Sequence, residues 1–151
     1  MPPVAKLSHA GEKVIVFAPY IGVVLNVLHA AIAKHWNCGL VYGAISRTAR
    51  NETFAEFQRG KDMRVLVAHP ECMAHGLTLT AANTIMWYGP PETNDEYMQA
   101  NGRITRASQK FTANIVNIQA TALERAIYKR FREQQSVQGV LLEMVERGEP
   151  L

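Results

Sequence analysis

Arg103 and Arg106, three residues apart, are the two side chains in this sequence best placed to act together on an anion. Gln99 stands four residues before the first, and Gln109 three after the second. Thr93 offers a cap for a helix through this stretch, and helical spacing sets residues 99, 103 and 106 on one face of it. Two guanidinium forks presented together suit an anion with several oxygens, such as a triphosphate, because each makes paired, charge-assisted bonds. A glutamine on the same face can orient a water or a sugar hydroxyl. The same arginines would also serve a plain solvated helix end, where cations answer the helix dipole.

Other residues could hold phosphate or a base. The run Tyr42-Gly43-Ala44-Ile45-Ser46 puts a small turn before a helix start, whose free amides bind phosphate. Arg50 lies one turn into that helix and can add its charge, although Arg47 and Arg50 would also pass as surface charges. Tyr20 can stack on a base or simply cover the edge of a sheet. Gly76 allows close backbone approach to a ligand, and Thr78 offers a hydroxyl for a sugar or phosphate. His69, Cys72 and His75 fall at three-residue steps, but no fourth ligand stands nearby and no paired metal spacing is present, so no metal is expected. His9, His29 and His35 read as surface or helix-end residues.

Some machinery is missing. The sequence contains no G-x-x-x-x-G-K-[ST] loop, no Gly-x-Gly-x-x-Gly fingerprint, and no strand ending in paired acids that would hold magnesium. Arginines for a triphosphate without the means to grip one imply half of a composite site.

The elements that must position these residues alternate. The short, continuous apolar and β-branched run at 13–18 suits a strand covered on both faces; 38–42, a buried 64–68, 83–88 and 113–118 read as four more strands. Between them, three-and-four spacing predicts helices. Ile21, Val24, Leu25, Leu28, Ala31 and Ile32 lie on the first, to about His35. Ala49, Phe54 and Phe57 lie on the second, capped by Ser46 and ended by Gly60. A loop with a helical turn is expected over 69–80. From Thr121 a helical tail follows, with Leu123, Ile127, Phe131, Val137, Val140, Leu141, Met144 and Val145 keeping the period. Strand–helix alternation predicts an α/β domain with a mostly parallel central sheet flanked by helices. In such sheets functional loops gather beyond the carboxyl ends of the strands.

At 151 residues the chain is one domain by length, large enough to bury roughly 70% of its unfolded surface without staples. Its 48% hydrophobic and 19% charged content is that of a globular protein, and its net charge of +3 permits an anionic partner without requiring one. Two cysteines at no framework spacing fit reduced thiols in a cytosolic compartment. No apolar run reaches ~18 residues, so no membrane span is expected. Residues 1–12 read as a linker that follows a missing upstream portion.

The order of these features resembles the second, C-terminal RecA-like domain of superfamily 2 helicases, with greatest similarity to the Swi/Snf-type translocases. The resemblance runs from about Lys13 to Arg132. Residues 13–18 look like the family's fourth motif, 42–50 like the small element after it, 65–79 like the fifth motif and 99–109 like the sixth. The resemblance implies a three-layer domain over 13–120 with a helical extension over 121–151. It implies the second motor domain of an ATP-dependent helicase or translocase, inactive as an ATPase alone, partnered by an N-terminal RecA-like domain that holds ATP and its magnesium. Arg103 and Arg106 would reach the γ-phosphate, Gln99 would line the cleft, and Gly76 and Thr78 would lie near the ribose. Tyr20 stays a candidate base platform, while Gly43, Ser46, Arg50 and His69 would touch nucleic-acid phosphates, with DNA favoured over RNA. The implied location is cytoplasmic or nucleic-acid-associated. Departures exist: His69 replaces a serine or threonine, Thr78 an aspartate or asparagine, and Ala74-His75-Gly76 a double-glycine loop. A stand-alone α/β binding module without catalysis is the competing reading; a Rossmann-type regulatory domain lacks its glycine fingerprint.

Overall fold

The structure, a computed structural model, describes residues 12–20, 22–73 and 77–148, the side chains of 135–141 and 143 excepted. The linker reading of 1–12 thus falls, apart from Glu12, outside the described residues, as do Ile21 and the Ala74-His75-Gly76 run. Packing divides the chain into two compact units, Met1–Ile118 and Gln119–Leu151.

In the first unit five strands form one sheet in the order β2-β3-β1-β4-β5, where β1 is Lys13–Phe17, β2 Cys38–Val41, β3 Val65–Ala68, β4 Ala82–Trp87 and β5 Asn114–Asn117. Every pairing is parallel. Val14, Ile15, Val16 and Phe17 are all 0% exposed, which explains why this strand reads as an unbroken apolar run. Alternate residues face opposite layers. Val14, Val16, Val65, Val67 and Met86 meet Leu25, Leu28 and Ile32 of helix α1 (Gly22–Ala33). The opposite face lies under α2 (Arg47–Arg59) and α3 (Asn94–Asn101). There Trp87 lies 4.8 Å from the Phe17 ring and 5.1 Å from the Tyr97 ring. α2 runs close over β2, since a Cβ on Gly39 would come within 2.7 Å of Met63 Sδ and 2.9 Å of Thr53 Cγ2.

The caps are those expected from sequence. Ser46 Oγ accepts from the Ala49 amide at 3.2 Å, Thr93 Oγ1 from Glu96 at 3.1 Å, and Gly60 ends α2. The helical turn in the 69–80 loop is a 3₁₀ turn at Pro70–Met73. His29 is tied inward: its Nε2 lies 2.8 Å from the Cys38 carbonyl. Both cysteines are free, and burial pushes the Cys38 thiol up to about 12.

The second unit is the helix α4 (Ala122–Glu146). Thr121 Oγ1 accepts from the Glu124 amide at 3.1 Å while Glu124 Oε2 accepts from the Ala120 amide at 2.7 Å, a reciprocal capping arrangement. Two expected apolar-face positions are open to solvent, Leu123 at 70% and Val145 at 60%. Periodicity marks a stripe on a helix without deciding how much of it is covered. The side chains of Val137, Val140 and Leu141 lie outside the described residues.

Lys13 ties α2 to the start of β1. Its ammonium donates to the carbonyls of Phe57 and Gly60, both at 2.6 Å, and stands 5.3 Å from the Phe57 ring centre. Lys13→Ala is expected to cost about 2–4 kcal/mol in urea unfolding, because two helix-end carbonyls lose a charged donor. Burial, and then Arg64, hold the Lys13 pKa below its ordinary value. The unfolded chain therefore binds more protons just below pH 10.5, and this lysine's contribution makes stability rise with pH in that window. Comparing unfolding from pH 8 to 10.5 in the parent and in Lys13→Met checks the sign.

Candidate functional site

Register aligns Val41, Ala68, Phe17, Trp87 and Asn117 in one row at the carboxyl border of the sheet. The next amides continue the ladder. His69 donates to the Val41 carbonyl at 2.9 Å, Ala18 to Ala68 at 3.1 Å and Tyr88 to Phe17 at 2.8 Å. Tyr20, Gly43, Ser46 and His69 therefore all issue from this one border. Gly43 and Ser46 are exposed, and nothing lies within 4 Å of a Cβ on Gly43, so the space beside it is open.

Arg50 is half-buried behind them. Its Nη1 contacts Cys72 Sγ at 3.5 Å, and its Nε is buried without a hydrogen-bond partner among the described residues. His69 Nδ1 accepts from the Glu71 amide at 3.2 Å, so the neutral ring carries its proton on Nε2, where it can donate to an oxyanion. Tyr20 packs edge-on to Tyr88 at 6.3 Å and lies directly over Gly89, where a Cβ would run into its hydroxyl.

The arginines occupy the other border. α2 returns to the amino ends of the strands, as the bonds from Lys13, the first residue of β1, to its last turn require. There Gln58 donates to Thr80 Oγ1 at 3.3 Å and accepts from the Ala81 amide at 3.0 Å. Thr80 Oγ1 lies 3.1 Å from Ser108 Oγ, and the Leu79 amide donates to the Arg103 carbonyl at 3.0 Å. Gln109 Nε2 donates to the carbonyls of Ala82, at 2.7 Å, and Ile104, at 2.8 Å. The arginine stretch is thus pinned to the amino end of β4. A strand the length of β1 separates the two borders by about 15 Å.

The expectation that residues 99, 103 and 106 share a helical face is corrected. α3 stops at Asn101 and Gly102 caps it, its amide reaching the Met98 carbonyl at 3.0 Å. Residues 102–108 wind as turns because Leu79 and Gln109 take the carbonyls that a longer helix would use internally. Gln99 is left exposed on α3, with no side-chain hydrogen bond to a described residue. The two arginines differ. Arg103 is 7% exposed, its Nε has no hydrogen-bond partner among the described residues, and burial followed by the charge of Arg106 lowers its pKa. Arg106 is exposed. Among the described residues no carboxylate lies within ion-pair distance of either arginine; Glu71 Oε2, 3.9 Å from His69 Nδ1, would pair only with a protonated imidazole. A buried guanidinium with an unpaired Nε, beside a second cation, favours an anion.

Thr78 is exposed next to Leu79, and Gly76 lies outside the described residues. No group of three or more His, Cys, Asp or Glu that could hold a metal ion is found among the described residues, and His75 is not one of them.

The sequence matches the family described as the helicase conserved C-terminal domain over residues 3–108. The chain belongs to that family. Among curated relatives of this helicase C-terminal domain is the DEAD-box ATP-dependent RNA helicase 9, mitochondrial, of Arabidopsis thaliana. It is 28% identical, over 97% of this chain and 23% of the relative. The ATP-dependent RNA helicase DBP3 of Saccharomyces cerevisiae is 29% identical over 72% of the chain and 21% of its own length. The chain thus spans less than a quarter of the length of these relatives. Two solved structures share the fold. The C-terminal part of the Fun30 ATPase domain superposes with a TM-score of 0.70 at 22% identity, over 78% of this chain and 38% of that one. The Sulfolobus solfataricus SWI2/SNF2 ATPase C-terminal domain gives 0.67 at 17%, over 90% and 54%. The domain has the RecA-like α/β fold of those helicase C-terminal neighbours.

Two side chains that hold this site were not singled out by residue type, Gln58 and Gln109. Neither has a charge or a nucleophile, and only their amide geometry gives them work. The position of Gln109 three residues after Arg106 is the one signal the sequence carried. At the carboxyl border, Gly89→Ala is expected to destabilise the domain by about 1–3 kcal/mol in thermal unfolding, because Tyr20 must move. Tyr20→Phe in the same chain should recover part of that loss by removing the hydroxyl.

Proposed function

We propose that the domain, residues 13–120 with 121–151 as its extension, is the second motor half of an ATP-dependent nucleic-acid helicase or translocase. The unneutralised pair Arg103 and Arg106, displayed by a loop at one border of the sheet, carries this reading. An N-terminal RecA-like partner domain supplies the phosphate loop and the acids for magnesium that this sequence lacks. Bound ATP supplies the phosphoanhydride whose cleavage drives the cycle. Arg103 and Arg106 neutralise the charge spread over the γ-phosphoryl oxygens as that bond breaks, Gln99 lines the same cleft, and Thr78 lies at the sugar.

The carboxyl border holds the nucleic-acid strand. The α2 amino end with Ser46, the open space at Gly43, the half-satisfied Arg50 and the Nε2–H of His69 all suit phosphate oxygens, and Tyr20 offers a ring for a base. Such contacts follow the backbone and read no sequence. The bearing of RNA helicase names by curated relatives gives no support to a preference for DNA, so the partner is proposed as nucleic acid of either sugar. Among the described residues no helix is long and apolar enough to cross a membrane.

In the intact polypeptide, Arg106→Ala and Arg103→Ala are each expected to lower ATP turnover by roughly 10³-fold while nucleic-acid affinity stays within about twofold. The chain of 151 residues alone should turn over no ATP. Coupled phosphate-release assays with filter binding measure all three. Retained turnover in both arginine variants would mean that neither reaches the nucleotide.

A further inference from the structure

The arginine loop has little regular structure of its own to hold its shape. α3 ends at Asn101, and Thr105, Arg106, Ala107 and Ser108 are exposed. A loop that must meet a phosphate within a few tenths of an ångström needs outside anchors. Its main chain has three, at the carbonyls of Arg103, Ile104 and Arg106. Gln109 serves two of them: its amide N–H donates to the Arg106 carbonyl at 2.9 Å and its side chain to the Ile104 carbonyl at 2.8 Å. The same Nε2 donates its second hydrogen to the carbonyl of Ala82, the first residue of β4, at 2.7 Å. The amide group is then complete, because Oε1 accepts from the Phe111 amide at 3.2 Å. Two carbonyls and one N–H around a single carboxamide leave no other orientation for it.

The anchor point is itself irregular. Register between β1 and β4 slips by one residue between the Lys13–Ala82 and Val14–Thr84 pairs, a bulge at Asn83. Bulges re-aim the groups beside them, and Ala82 is where the loop is tied.

We propose that Gln109 is a positioning residue for the arginine pair: it clamps the turn bearing Arg103 and Arg106 onto the first residue of β4, so that both guanidiniums hold their places while the interdomain cleft opens and closes. This rests on the reading of the arginines as γ-phosphate contacts. Gln109 touches no nucleotide; it acts by holding main chain on both sides of Arg106.

Gln109→Glu in the intact polypeptide tests the clamp, since the shape is kept, the acceptor for Phe111 stays, and both donated bonds are lost against two carbonyls. The expected result is a fall of about 10²-fold in kcat, the scale of a 1 Å misplacement. KM for ATP and nucleic-acid affinity should stay near those of the parent, while the thermal midpoint falls by a few degrees as two carbonyls lose their donor. In an Arg106→Lys background, which starts from partial activity, adding Gln109→Glu should cost no more than about twofold further, because two changes that act through one group are not additive. Should the glutamate variant fail to fold, Gln109→Met, uncharged and without donors, is read the same way. Turnover by either Gln109 variant within twofold of the parent, or a full multiplicative loss in the Arg106→Lys background, would overturn the clamp. Full turnover by Arg106→Ala would instead remove the functional reading beneath it.

Discussion

Parallel pairing to β1 is the constraint on which the molecule depends. β1 lies between β3 and β4 and is buried on both faces. Because all the pairings run the same way, each strand must end at one border and each connection must carry the chain back to the other. The two borders acquire different chemistry from that alone. One collects loops that follow strands; the other collects the ends of returning helices and the segments that enter the next strand. Lys13 marks the second border by joining the last turn of α2 to the first residue of β1.

That separation matches the work proposed for the domain. A motor that passes grip along a strand must touch its track and its fuel at different places, and join them by something stiff. Here α2 begins at the border with Ser46 and Arg50 and ends at the border with Gln58, which holds the Thr80–Ala81 segment beside the arginine loop. At the border with the arginine loop a buried guanidinium lacks, among the described residues, both a hydrogen-bond partner for its Nε and an ion pair. At the carboxyl border the Nε of Arg50 is likewise buried without a hydrogen-bond partner among the described residues, while its Nη1 contacts Cys72 Sγ.

Glutamine does much of the fixing. Gln58 and Gln109 each use both ends of one carboxamide, and between them they bond Thr80, Ala81, Ala82, Ile104 and Phe111 near the start of β4. A neutral carboxamide can do this because it donates and accepts at once, which a carboxylate cannot.

By itself the sequence determined the elements and their order. The apolar run at residues 14–17 is legible because a strand covered on both faces has few polar positions, and Ser46, Thr93 and Gly60 mark helix ends by local hydrogen bonding. It also determined which side chains carry charge for an anion, since the spacing of Arg103 and Arg106 requires no fold to be noticed. Tertiary structure alone decided where they stand. Helical spacing extended α3 through Arg106, but the Leu79 amide and the Gln109 side chain, from other segments, take the carbonyls of Arg103 and Ile104 and turn the chain. It likewise decided that Arg103 is buried while Arg106 is exposed, and that Leu123 of an apolar stripe is open to solvent. Such choices depend on partners distant along the chain, and local periodicity carries no record of them.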